Sequence, residues 1–183
     1  MMKRFFLALS LVAVLGFGCP EKKGELTVTN ESATENEAGS NVYSNSQYGF
    51  ELTLPSTVEA KPRPEEEQAT DYLGLPVQFF VSIRDLVRDE KTVLNLAYVY
   101  AVPDLTVDGL VEALEKSSAK VKVSARDVMD VNGVEVTKVV SSTEAGDDKT
   151  HYVFQGKDGT IVISVFLYQD EYFAPILASL KKI

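Results

Sequence analysis

The chain has one cysteine, one histidine and no tryptophan in 183 residues. A single cysteine excludes any internal disulfide. A single histidine, His151, is all that a Ser-His-Asp or Cys-His unit would have to work with, and zinc is left without the Cys/His cluster it needs. His151 alternates with apolar neighbours, so it reads as a partly exposed strand residue. Basic residues are also scarce: 18 Lys and Arg against 27 Asp and Glu give a net charge of −9. So acidic a chain is repelled by phosphate backbones and anionic headgroups, which excludes nucleic acid as a partner. No glycine-rich phosphate loop and no Asp-x-Asp-x-Asp-Gly calcium loop occurs. Carboxylates are plentiful at Glu65–Glu67, Asp127 with Asp130, Asp147-Asp148 and Asp170-Glu171, and they read as solvated surface in loops and turns. No catalytic, cofactor-binding or metal-ligating set is therefore expected.

Long apolar runs are missing as well. Phe5–Phe17 is shorter than the roughly 20 residues that cross a bilayer. With Lys3 and Arg4 before it and small residues after it, the run predicts a secretory signal peptide over residues 1–18. Leu15-Gly16-Phe17-Gly18-Cys19 resembles the lipobox of bacterial lipoproteins, with Leu15 one step early and Phe17 bulkier than the pattern. The resemblance implies cleavage between Gly18 and Cys19 and a diacylglyceryl thioether on the Cys19 sulfur, with palmitate-type acyl chains. The alternative is an ordinary secreted protein with an unmodified cysteine. The sole cysteine stands where the apolar run ends, directly ahead of a polar tract, and that favours lipidation. A single myristoyl chain holds only marginally, at about 0.8 kcal/mol per buried methylene, so two or three chains make a lasting anchor. The expected location is extracytoplasmic, on a periplasm-facing inner or outer membrane. Residues 1–18 carry Lys3 and Arg4, so the rest of the chain has a net charge of −11. Attachment must come from the lipid.

Residues 19–41 continue as Cys19 and a polar tract with almost no apolar residues, which predicts a disordered tether. As a flexible coil it reaches roughly 25 Å on average. Residues 42–183 are one domain's worth of chain. Phe50, Leu52 and Leu54 alternate up to Pro55, after a short strand at Val42–Ser44. Lys61–Thr70 reads as a loop. Strands follow at Val77–Ile83 and Thr92–Ala101, the second apolar on both faces, with Leu94 and Leu96 set apart from Ala97 and Val99. Thr106 caps a helix whose Val107, Leu110, Val111 and Leu114 form one stripe. Asn132-Gly133 joins Val121–Val131 to Val134–Ser142 as a hairpin. His151–Gln155 leads into Thr160–Tyr168, whose Ile161, Ile163, Val165 and Leu167 oppose Val162, Phe166 and Tyr168. A strand apolar on both faces needs cover on both sides. Val165 and Phe166 are thus expected to be buried beneath different layers. Phe173, Ile176, Leu177 and Leu180 give helical spacing up to the C-terminus. The fold class is α/β (α+β): a three-layer α/β/α sandwich with a mostly antiparallel sheet.

Tyr48-Gly49-Phe50-Glu51-Leu52-Thr53-Leu54-Pro55 resembles the opening of PsbP-like domains, without the tryptophan that often follows the family's proline. The middle helix, the Val131-Asn132-Gly133-Val134 hairpin and the Leu180-Lys181-Lys182 ending follow in the same order. The family includes extrinsic photosystem II proteins and bacterial lipoproteins of the DcrB type, so the resemblance implies a scaffold for binding. The expected function is a non-enzymatic, lipid-anchored envelope protein that engages a protein partner. A small-ligand binder with an apolar pocket between sheet and helix is one alternative. A hydrolase using two converging carboxylates is the other. The tyrosines, Tyr98, Tyr100, Tyr168 and Tyr172 among them, either pack in the core or line a groove.

Overall fold

The structure, a computed structural model, describes residues 34–36, 40–63, 71–72, 75–86, 94–117 and 121–183. The signal segment, Gly18, Cys19 and the acidic loop at 65–67 lie outside the described residues. In chain order the elements are β1 (Thr34–Asn36), β2 (Ser40–Asn45), β3 (Phe50–Pro55), β4 (Val58–Pro62), β5 (Asp71–Tyr72), β6 (Leu75–Pro76), β7 (Phe79–Asp85), β8 (Leu94–Val102), α1 (Val107–Lys116), β9 (Lys122–Val131), β10 (Val134–Ser142), β11 (Lys149–Gln155), β12 (Thr160–Phe166), α2 (Asp170–Leu177) and β13 (Lys181–Lys182).

Seven strands form one antiparallel sheet in the order β4-β7-β8-β12-β11-β10-β9, with β12 at its centre. The reason is chemical: Ile161, Val162, Ile163 and Val165 are all fully buried, and each such side chain contributes about 1.5–3 kcal/mol when taken from water. Ile161, Ile163 and Val165 join a core with Phe173, Ile176 and Leu177 of α2 and with Phe50, Leu52 and Leu54 of β3. Val162 joins the opposite core with Leu110 and Leu114 of α1. The sheet therefore lies between two layers, as the two-sided strand requires. The opening hairpin stays out of the large sheet; β1-β2-β3-β13 make a small sheet of their own beside α2. Thr34–Asn36 pairs with Ser40–Val42, so backbone pairing starts upstream of Val42.

Four expectations need correction. The central strand stops at Phe166, because Leu167–Gln169 wind into a 3-10 turn; Phe166 is half-buried and Leu167 and Tyr168 are exposed. The last helix ends at Leu177, and Lys181–Lys182 extend to pair with β3. The stretch read as loop from Lys61 begins inside β4, which pairs with β7. In β8, Ile83 faces Ala97 while Arg84 faces Asn95, leaving Leu96 as the extra residue of a bulge. That bulge reverses the alternation, so Leu94 and Leu96 pack on the same core as Ala97 and Val99.

The hairpin and the cap follow the expected chemistry. Asn132 and Gly133 have φ of 52° and 79°, the two positive values of a type I′ turn. Thr106 Oγ1 accepts from the Gly109 N–H at 3.0 Å and caps α1.

Candidate functional site

His151, expected to be partly exposed, is fully buried. It belongs to a polar row across four neighbouring strands on the α1 side of the sheet. The Tyr100 hydroxyl (β8) lies 3.0 Å from Ser164 Oγ (β12), which lies 2.7 Å from His151 Nδ1 (β11). His151 Nε2 lies 2.9 Å from Ser141 Oγ (β10), whose hydroxyl reaches the Lys149 carbonyl at 3.5 Å. One proton order satisfies the whole row: each group donates to the next, from Tyr100 to the Lys149 carbonyl, through the Nε2–H tautomer of a neutral imidazole. Burial, then the Lys149 ammonium, pushes the His151 pKa down to about 4. This row holds the sheet in register and reaches no solvent.

A second polar cluster seats α2. Lys138 Nζ lies 2.6 Å from Asp170 Oδ2, and the Tyr152 hydroxyl donates to Asp170 Oδ1. Burial and that carboxylate hold the Tyr152 phenol above its ordinary range. Gln169 is buried beside it, and the orientation of its amide that satisfies both ends turns the nitrogen to donate to the carbonyls of Leu96 (3.0 Å) and Asn95 (3.2 Å).

The candidate site opens where the rigid central strand meets the surface. Beyond Phe166 the chain presents Leu167 at 39% exposure and Tyr168 at 76%, with Tyr172 at 47% one turn on. The Phe166 and Tyr168 rings stack at 5.7 Å, and Lys149 Nζ sits 5.3 Å from the Phe166 ring centroid. Across from them, Gly146, Asp147 and Asp148 complete a concavity of about 390 Å³. The acidic loop is pinned: Asp147 N–H donates to Thr143 Oγ1 at 3.0 Å, and Leu167 N–H donates to the Asp148 carbonyl at 2.9 Å. An aromatic wall faces a carboxylate wall, which suits a group that is apolar on one side and cationic on the other. The two acids are adjacent on one loop and the opposite wall carries none, so they do not flank a bond as paired glycosidic carboxylates do.

A second cavity of about 280 Å³ lies between the start of α1 and the sheet, lined by Leu105, Val107, Val153 and Thr160, with Glu135 its one acid. It falls just under the roughly 300–1,000 Å³ usual for ligand sites. Among the described residues no cluster of three or more His, Cys, Asp or Glu side chains assembles, and no helix is long and apolar enough to cross a membrane. Tyr100 and Tyr152 are core residues, whereas Tyr168 and Tyr172 are surface residues. Strand alternation placed Leu167 and Tyr168 inside the sheet, and only the Gln169-Asp170 break beyond them marked the surface. Ser164 had a weak signal of its own, as the one polar residue inside the apolar run Ile161–Phe166, whereas Ser141 sits among other polar residues of β10 and had none.

No family model and no curated protein matches the chain. Among solved structures it is similar to the solution structure of cyanobacterial PsbP from Synechocystis sp. PCC 6803, with a TM-score of 0.52 at 12% identity. The match covers 85% of this chain and 99% of that one. The fold is PsbP-like.

Proposed function

We propose that the protein is a lipid-anchored, extracytoplasmic binding protein with no catalytic role, which engages a protein partner through the Phe166–Tyr168 ridge. The observation that carries the reading is the exposure of Leu167 and Tyr168 on the turn fixed at the end of the buried central strand, with Tyr172 exposed at the start of α2. Exposed aromatics on a rigid support are the usual anchors of an interface. Asp147 and Asp148 opposite them favour a partner that offers Lys or Arg beside an apolar side chain. The anchor is Cys19, the only cysteine, at the end of the short apolar run. With a net charge of −9 the chain gains nothing from anionic headgroups, so the acyl chains supply all of the attachment.

The test is photo-crosslinking from position 168 in intact membranes, with mass spectrometry of the amino-terminal fragment. One discrete crosslinked protein, lost on Leu167→Asp and retained on Glu144→Gln, together with a diacylated Cys19 supports the proposal. A crosslink pattern insensitive to Leu167→Asp overturns the interface, and a free thiol at position 19 overturns the anchor.

A further inference from the structure

β9 ends the seven-stranded sheet, and among the described residues nothing pairs with its outer edge. None of its ten residues is buried, none is proline, and Val128 is 65% exposed. Natural edge strands are usually blunted by shortness, proline, a bulge or charged side chains. The opposite edge obeys this, since β4 has five residues and ends on Pro62. β9 has ten residues, carries Lys122, Arg126, Asp127 and Asp130, and has its one bulge at Ser124, which is left unpaired between Val123↔Ser141 and Ala125↔Val140. From Ala125 to Val131 its pairing with β10 is regular and its other edge is open.

The type I′ turn determines which groups face outward. In a two-residue hairpin the flanking pair, here Val131 with Val134, exchanges both main-chain hydrogen bonds. Alternate pairs do the same: Met129 with Val136, Asp127 with Lys138 and Ala125 with Val140. Arg126, Val128 and Asp130 therefore turn their N–H and C=O groups to the open edge. Their side chains share the sheet face that carries α1, where Arg126 pairs with Asp108.

Read outward from Val128, the strand has opposite charges at equal distances: Arg126 two residues before it and Asp130 two residues after. A twofold axis through Val128 sets Val128 against its own copy and sets each Arg126 against the other copy's Asp130. These three pairs are hydrogen-bonded positions and exchange about six main-chain bonds. Shifting the axis by one residue pairs Val128 with Arg126 or with Asp130 and loses both opposite-charge pairs, and shifting it by two sets Arg126 against Arg126 or Asp130 against Asp130, which like-charge repulsion disfavours. The charges of Lys122, Arg126, Asp127 and Asp130 cancel, so this edge is neutral in a chain of net charge −9. We infer that β9 is a self-docking edge: two copies of the chain join antiparallel, Val128 to Val128, and continue one sheet across both. The occupant is a second copy because the charge order that selects the register is the strand's own.

The test uses the purified full chain over a dilution series, with oligomeric mass from sedimentation velocity and amide exchange from the same samples. The inference expects a dimer in which the Arg126, Val128 and Asp130 amides exchange slowly and speed up on dilution. Arg126→Glu opposes like charges twice and weakens the dimer by about tenfold or more, and adding Asp130→Arg restores it. Asp130 Oδ1 also accepts from the Gly133 N–H at 3.0 Å, so the double variant loses a turn contact. Val128→Lys against Val128→Thr repeats the test without touching the turn, and only the lysine should abolish the dimer. Monomer mass at every concentration overturns the inference. So does a dimer with unprotected β9 amides. Protection in a monomer overturns it too, since a segment such as residues 20–33 would then cover the edge. A dimer indifferent to both charge variants overturns the register.

Discussion

Burial, and then the nearby Lys149 ammonium, oppose a second proton on His151. His151 stays neutral in the fold down to about pH 4, while in the unfolded chain it protonates near 6.5. Between those values the unfolded state binds more protons, so stability falls as pH drops through the window and is unaffected by this group above it. The loss is on the order of 3 kcal/mol by pH 4. Urea denaturation of the parent and of His151→Gln at pH 7 and pH 4.5 measures it. The parent should lose more stability than the variant, the difference being the histidine's share; equal losses would mean that the imidazole protonates without leaving its site. A strand pattern could place His151 on a face but not weigh the row it joins. That row is assembled from four strands that lie up to 64 positions apart in the chain.

The central strand tests the layers directly. Ile163 packs beneath α2 and Val162 beneath α1, both fully buried. Ile163→Ala should cost about 2–5 kcal/mol and Val162→Ala about 1–3 kcal/mol, whereas half-buried Phe166→Ala should cost only about 1–2 kcal/mol. Chemical denaturation of the three single variants decides it, and a silent Val162→Ala would mean that α1 does not cover the sheet. Elements were readable wherever a local signal is complete. Phe50, Leu52 and Leu54 alternate cleanly, Asn132-Gly133 dictates its turn, and Thr106 caps its helix. The β8 bulge was not readable, because one extra residue inverts a period of two and only pairing with β7 reveals it. The end of β12 was missed because Leu167 and Tyr168 keep the apolar alternation that a strand would have. The candidate concavity was hidden for a related reason: its acidic wall comes from the β10–β11 loop and its aromatic wall from the end of β12 and the turn after it. Cys19 lies outside the described residues, and its reading rests on the local sequence alone.

Taken whole, the molecule is closed by its last residues. Lys181 and Lys182 pair with Glu51 and Phe50, and the Ile183 N–H donates to the Gly49 carbonyl at 3.1 Å. Gly49 has φ +71°, which strains any side chain there, and an added Cβ would crowd Lys157 Cβ at 3.2 Å and the Ile183 carbonyl oxygen at 3.3 Å. Asn132 Nδ2 binds the Ala178 and Leu180 carbonyls at 2.8 and 3.0 Å and draws the hairpin turn to the same corner. Deleting residues 181–183 should lower the melting temperature by about 4–10 °C, for the loss of about three hydrogen bonds. Amide exchange would show Phe50–Leu52 opening while β12 stays protected; equal exposure of both would mean that the small sheet and the large one unfold together. The same closure makes the small sheet depend on the large one. β2 and β3 are near neighbours in the chain and can pair as a hairpin on their own, whereas β13 is brought to β3 by the packing of α2 on the central sheet. A chain in which α2 has not docked therefore holds that hairpin without its third partner.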